Sequence, residues 1–196
     1  MSKIIVFSGS PRKNGYTSKL IAQVISGAKS KGAEVKIYDL NADDIKGCKG
    51  CFYCRNHEGC ATKDYLYTMY DDIKNADGII FGSPIYFFQI TGQAKIWLDR
   101  MYPMIDIPEE VKPQLPGEEP EFKPRFPGKK IVTVYTQGNP DKDMFKSSIE
   151  ETNRFFSIFG WNLVNSLLCY GTINPNFAIS ESLLDEAYKA GEDLVS

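Results

Sequence analysis

The sequence predicts an α/β domain: a five-stranded parallel sheet with helices on both faces. Two observations carry this. Five short apolar runs, most of them rich in β-branched residues, alternate with stretches whose apolar residues recur at helical spacing. The unusual polar and aromatic segments "SGSPRKNGYTS", "GSPIYFF", "TQGN" and "CYGT" follow runs one, three, four and five. In a parallel sheet these segments converge on one edge, outside the carboxyl ends of the strands, where such sheets bind ligands. The length of 196 residues suits one domain with a large core.

"KIIVFS" at 3–8 is a β-branched run stopped by Gly9 and predicts a buried strand. From Thr17 the pattern changes: Leu20, Ile21, Val24, Ile25 and Ala28 follow helical spacing. "GAEVKIYDL" at 32–40 alternates at Val35 and Ile37 and predicts the second strand. "YLYTMYDDIKNA" at 65–76 is helical in period, and "DGIIFGSP" at 77–84 is a third strand stopped by Gly-Ser-Pro. "TGQAKIWLDRMY" at 91–102 predicts a further helix. The stretch 103–128 holds seven of the eleven prolines, which disfavours both helix and central strand. "KKIVTVYTQGN" at 129–139 is the fourth strand, and "MFKSSIEETNRFFSIFG" at 144–160 is an amphipathic helix closed by Gly160. "WNLVNSLLCYG" at 161–171 is the fifth strand and "SESLLDEAYKAGEDLV" at 180–195 the last helix. The expectation is one domain over 1–196, with a cysteine-rich loop at 47–63 and a Pro-rich excursion at 103–128.

Hydrophobic residues make up 42% and charged residues 24%, a globular composition. A net charge of −2 with no stripe of Lys and Arg argues against nucleic acid. No apolar run approaches the roughly 18 residues of a membrane span. The opening "MSKIIVFSGSPRK" is too short in apolar residues for a secretory signal. A cytoplasmic protein with reduced thiols is expected.

"SGSPRKNGYTSKL" at 8–20 joins the first strand to the first helix. It offers the hydroxyls of Ser8, Ser10, Thr17 and Ser18, the Arg12 guanidinium, and Gly9 and Gly15 for tight backbone. Free N–H groups at a helix start favour an anion, and this donor set suits a phosphate monoester. The spacing fits neither a P-loop, where Lys follows the second Gly, nor the G-x-G-x-x-G dinucleotide fingerprint. The plainer alternative is a turn with a hydroxyl N-cap. Asp39 reads as a strand end rather than a ribose ligand.

Four of the five cysteines fall within "CKGCFYCRNHEGC" at 48–60, spaced C-x2-C-x2-C-x5-C. Three readings stay open. Thiolates at this spacing can point to one centre, as in ferredoxin-type [4Fe–4S] clusters. Structural zinc more often uses two well-separated pairs. The thiols could also bind no metal. Cys169, alone in the fifth strand, reads as core. His57, the single histidine, reads as an exposed loop residue.

"GSPRKNGYTS" followed by "GIIFGSPIYFFQITGQAKIWLDR" resembles the NADPH-dependent FMN reductase branch of the flavodoxin-like superfamily. The intervening cysteine stretch resembles the iron–sulfur flavoprotein subgroup of that branch. The resemblance implies strand order 2-1-3-4-5 and non-covalent FMN. By position, Ser10, Arg12, Asn14, Tyr16, Thr17 and Ser18 would hold the phosphate, with Tyr16 contributing its backbone N–H. Pro84, Ile85, Tyr86 and Phe87 would line the ribityl chain and ring, and Thr136, Gln137, Gly138 and Asn139 would close the far side. Cys48, Cys51, Cys54 and Cys60 would hold a [4Fe–4S] cluster, on the same sheet edge as the flavin. The implied function is electron transfer between cluster and FMN, with small-molecule or protein redox partners and a homodimer or homotetramer. The alternatives are a metal-free NAD(P)H-dependent FMN or quinone reductase, or a non-enzymatic flavin-binding or sensor protein. No catalytic acid–base residue is expected, because the cofactor carries the chemistry. Phe122 and Phe126 are candidates to cover a neighbouring subunit's flavin.

Overall fold

The computed structural model describes residues 1–106 and 122–195; most of the Pro-rich excursion lies outside them. In chain order the elements are β1 (Lys3–Ser8), α1 (Tyr16–Ser30), β2 (Glu34–Asp39), α2 (Met69–Lys74), β3 (Gly78–Tyr86), β4 (Gln89–Ile90) and α3 (Gly92–Asp99). There follow β5 (Ile105–Asp106), β6 (Lys123–Pro124), β7 (Lys130–Thr136), α4 (Lys146–Ile158), β8 (Asn162–Cys169) and α5 (Glu181–Val195). The five parallel strands lie in the order β2-β1-β3-β7-β8, which is the expected 2-1-3-4-5.

The pleat divides the core. Ile4 and Val6 face α1 and α5 with Leu20, Val24, Ala187 and Leu194, while Ile5 and Phe7 face the other side with Met69, Ile73, Trp97 and Phe156. Both sheet faces are covered, so Ile79, Ile80 and Phe81 of the central β3 are all fully buried. α1 and α5 approach backbone to backbone. A Cβ on Gly27 would lie 1.9 Å from the Tyr188 carbonyl oxygen, and one on Gly191 would lie 2.0 Å from that of Val24.

Two features differ from the expected pattern. β3 continues past Pro84 to Tyr86 and turns back as β4, pairing Ile85 with Ile90. The proline is tolerated because β1 has ended at Ser8, opposite Gly82, which leaves that side of β3 an edge. β5 and β6 form a separate two-stranded hairpin at the ends of the Pro-rich excursion. Phe122 and Phe126 there pack, partly buried, against this chain's own core, which removes the reason to assign them to a neighbour's cofactor. Among the described residues no helix is long and apolar enough to cross a membrane.

Candidate functional site

The segments that follow β1, β3 and β7 do meet at the carboxyl edge of the sheet. Gly9 brings the first loop against β3: its N–H donates to the Gly82 carbonyl (2.7 Å), and a Cβ there would lie 2.8 Å from Ala94 Cβ. Thr91 pins this junction. Its hydroxyl caps α3 through the Ala94 N–H and donates to the Gly9 carbonyl (2.8 Å), while its own N–H donates to Ser83 Oγ (3.0 Å).

α1 starts at Tyr16 behind Gly15, which has no side chain to cap the helix. The first helical bond runs from Lys19 N–H to the Gly15 carbonyl (3.0 Å), so the amides of Tyr16, Thr17 and Ser18 head the helix. A recess of about 340 Å³ at this helix start is lined by Arg12, Asn14, Gly15, Tyr16 and Lys19. Two cations and a helix N-terminus in one recess favour an anion. The Tyr16 ring turns away, with its hydroxyl donating to the Phe177 carbonyl (3.1 Å). That leaves its backbone N–H, as the sequence suggests. Ser10 and Ser18 hydroxyls both bond the Arg12 carbonyl and so shape the loop.

Thr17 and Thr136, both buried, share a hydroxyl–hydroxyl bond of 2.7 Å that joins α1 to the end of β7. One of the two hydroxyl hydrogens remains to be donated elsewhere. The adjacent Gln137 is 1% exposed; its Nε2 donates to the carbonyls of Asn139 (3.2 Å) and Asp141 (2.6 Å). Gln137 Oε1 is buried without a hydrogen-bond partner among the described residues, an acceptor in want of a donor. Gly138 and Asn139 follow in a turn tied to Ile173 and Gly171 by backbone bonds.

At the third segment, Pro84 is buried and Ile85 belongs to the core, so Ile85 does not turn its side chain to the edge. Tyr86 is exposed, and Phe87 and Phe88 form the two-residue hairpin turn at φ 45° and 71°. Such turns favour Asn-Gly, because both central residues need positive φ. Here the backbone instead holds out two aromatic rings, Phe87 almost wholly exposed and Phe88 edge-on to Phe145.

The cysteine loop departs from the expected placement at the flavin edge. It leaves β2 at that edge but descends along α2: Gly59 lies against the Tyr70 ring, and Glu58 pairs with Lys74 at the end of α2. Cys48, Cys51, Cys54 and Cys60 all line one cavity of about 120 Å³, walled by Asp99 at the end of α3 and by Arg100, Tyr102 and Pro103 just after it. Thr91, at the other end of α3, touches the phosphate loop; the intervening eight residues span about 12 Å. The cause is a fully buried pair, Arg100 with Asp64 (2.8 Å), which draws the neck of the loop to the carboxyl end of α3.

Four cysteines lining one cavity supply soft donors that fit an iron–sulfur cluster in kind. Cys54 and Cys60 are partly buried and Cys48 and Cys51 exposed. Burial pushes the Cys54 thiol up, and the neighbouring Cys60 and Cys48 sulfurs push it further. Among the described residues, no three His, Cys, Asp or Glu side chains stand in ligating geometry. Cys169 is buried, its thiol pushed up to about 11 by desolvation. His57 stacks on Tyr53 in the exposed part of the loop.

Several residues at these sites carry no motif. Lys19 joins Arg12 at the recess, and its position one helical turn past Gly15 was the available signal. Asn41 Nδ2 donates to the Ser10 carbonyl (2.7 Å), orienting the phosphate loop, and Asp39 accepts from the Asn41 N–H (3.0 Å) as a strand-end turn residue. Arg100 lines the cysteine cavity with Asp64 and Tyr70 bonded to it, and nothing local in the sequence marks them.

The NADPH-dependent FMN reductase family model matches residues 2–138. Two iron–sulfur flavoproteins of Methanocaldococcus jannaschii are similar: one is 34% identical over 102 residues, 52% of this chain and 53% of its own. The other is 38% identical over 99 residues, 50% of each chain. The aligned stretch thus spans about half the length of these curated relatives. Among solved structures, an NAD(P)H:quinone oxidoreductase from Methanothermobacter marburgensis superposes with a TM-score of 0.74 at 16% identity, covering 98% of each chain. At that identity the likeness speaks for the fold.

Proposed function

The chain belongs to the NADPH-dependent FMN reductase family, and from that premise we propose that it is an FMN-binding oxidoreductase of the iron–sulfur flavoprotein type. When bound, FMN takes up a hydride or single electrons and a [4Fe–4S] cluster exchanges single electrons. The chain's own residues bind, orient and screen. Arg12 and Lys19 attract the phosphate, and the amides of Tyr16, Thr17 and Ser18 donate to it, with Ser10, Asn14 and Ser18 shaping the loop. Pro84, Tyr86 and Phe87 offer apolar contact to a flat ring, and Ile85 adds only backbone. Thr136, Gln137, Gly138 and Asn139 face the polar end, where the partnerless Gln137 Oε1 suits a ring N–H. NAD(P)H is the proposed electron donor.

Cys48, Cys51, Cys54 and Cys60 are the proposed cluster ligands. The observation that carries this is that all four cysteines are among the residues lining a single cavity. That cavity lies at the far end of α3 from the phosphate loop, and this reading has its cluster exchange electrons with the flavin of another copy of the chain. A homodimer or homotetramer is therefore part of this reading. The second reading, a metal-free NAD(P)H-dependent flavin or quinone reductase, draws on the absence of closed ligating geometry among the described residues.

The test is anaerobic purification with flavin, iron and acid-labile sulfide measured per chain. About one flavin with about four iron supports the first reading. One flavin without iron, with rapid NADPH oxidation, selects the second. No bound flavin in this preparation defeats both.

A further inference from the structure

The cysteine cavity stands on a polar network that the cysteines do not themselves provide. The Arg100 side chain is fully buried and spends its whole fork. Nη1 donates to the Lys46 carbonyl (2.8 Å) and to Asp64 Oδ2 (2.8 Å). Nη2 donates to the Thr62 carbonyl (3.4 Å) and to Asp64 Oδ1 (3.3 Å), and Nε donates to the Tyr70 hydroxyl (3.3 Å). Asp64 answers with Oδ2 accepting the Lys46 N–H (3.0 Å) and Oδ1 the Leu66 N–H (3.1 Å). Tyr70 in turn donates to the Arg100 carbonyl (2.9 Å).

Lys46 lies two residues before Cys48, and Thr62 two residues after Cys60. The pair therefore grips the backbone on both sides of the four cysteines. Holding the two ends of a loop together removes conformational entropy that a ligand would otherwise have to offset on binding. The planar fork suits this task, since it reaches two carbonyls and a carboxylate at once; an ammonium does not.

We propose that Arg100 is a positioning residue whose buried guanidinium, with Asp64, closes the neck of the loop and pre-forms the four-thiol cavity before any metal enters. Its use to a cluster rests on the function proposed above, but the clamp itself does not.

The test uses the full chain in metal-free form, so it can be read without a cluster. The rates of iodoacetamide alkylation of Cys54 and Cys60 and of amide exchange over 46–64 are measured. Buried Cys169 serves as the internal control. Two variants are compared: Arg100→Lys, which leaves Asp64 a cation, and Arg100→Met with Asp64→Leu, which replaces the pair by apolar side chains. Both are expected to raise loop alkylation and exchange at least tenfold, with Cys169 protected and flavin content unchanged. A merely structural role in the domain would loosen Cys169 together with the loop, and that result overturns the proposal. Loop rates at the wild-type level in Arg100→Lys also overturn it, because charge alone would then suffice. If the wild-type protein takes up no iron on anaerobic reconstitution while the variants behave as expected, the cluster reading fails and the clamp stands.

Discussion

Phe87 and Phe88 occupy backbone conformations that cost an L-residue about 1–2 kcal/mol each, at φ 45° and 71°. Nothing in the hairpin requires phenylalanine there, and Phe87 buries almost nothing in return. The turn thus carries strain at the edge where the phosphate recess and Gln137 also lie, a pattern associated with ligand contact. Phe87→Asn should raise the thermal midpoint by a few degrees, because Asn tolerates positive φ and no burial is lost. The same variant should bind FMN more weakly by fluorescence titration. A variant with higher stability and unchanged flavin affinity would remove Phe87 from the site. From the sequence, this residue is recognisable as an aromatic after a strand. Its backbone geometry is not, because the turn type is decided by where β4 pairs with β3.

At the scale of elements, the parallel sheet follows from runs such as "KIIVFS", whose alternate residues bury on opposite faces. Helix pairing is set by smaller details. Gly27 and Gly191 let α1 and α5 touch backbone to backbone, and neither sits in a motif that announces it. Gly27→Ala forces a Cβ to 1.9 Å from a main-chain oxygen, which a side-chain rotation cannot relieve. It should cost about 3 kcal/mol or more in urea unfolding. Gly92→Ala, where a Cβ meets nothing within 4 Å, should change stability by less than about 1 kcal/mol. Equal effects of the two substitutions would mean that the α1–α5 contact is not the reason for Gly27. The carboxyl end of α3 is a second such detail: Arg100 reads as one more residue of the helix predicted over 91–102, yet it is the anchor of the cysteine loop.

For the molecule as a whole, acid should act through the same anchor. Burial alone would raise the Asp64 carboxyl, but the hydrogen bond from Arg100 and the backbone N–H groups of Lys46 and Leu66 outweigh it and hold it below its ordinary value. Its contribution to stability is then complete above the unfolded-state value of about 4. It is lost as the pH falls through the lower folded value. Urea midpoints measured from pH 6 down to pH 3 should fall more steeply in the wild-type chain than in Asp64→Asn. Parallel curves would show that the pair does not titrate with unfolding.

The sequence by itself determined the alternation of five strands with helices, the two covered faces, the anion-favouring loop after β1 and the grouping of four cysteines, while the strand order came with the family resemblance. These depend on local burial patterns, on turn residues and on neighbours within about a dozen positions. Only the tertiary structure decided where the cysteines stand. The expectation that they share the flavin edge came from the strand they follow, but their place is set by Asp64 and Arg100, 36 residues apart in the chain. A buried charge must find its partner wherever the fold brings one. No periodicity or spacing along the sequence records that meeting, and it moves the four thiols from the phosphate loop to the opposite end of α3.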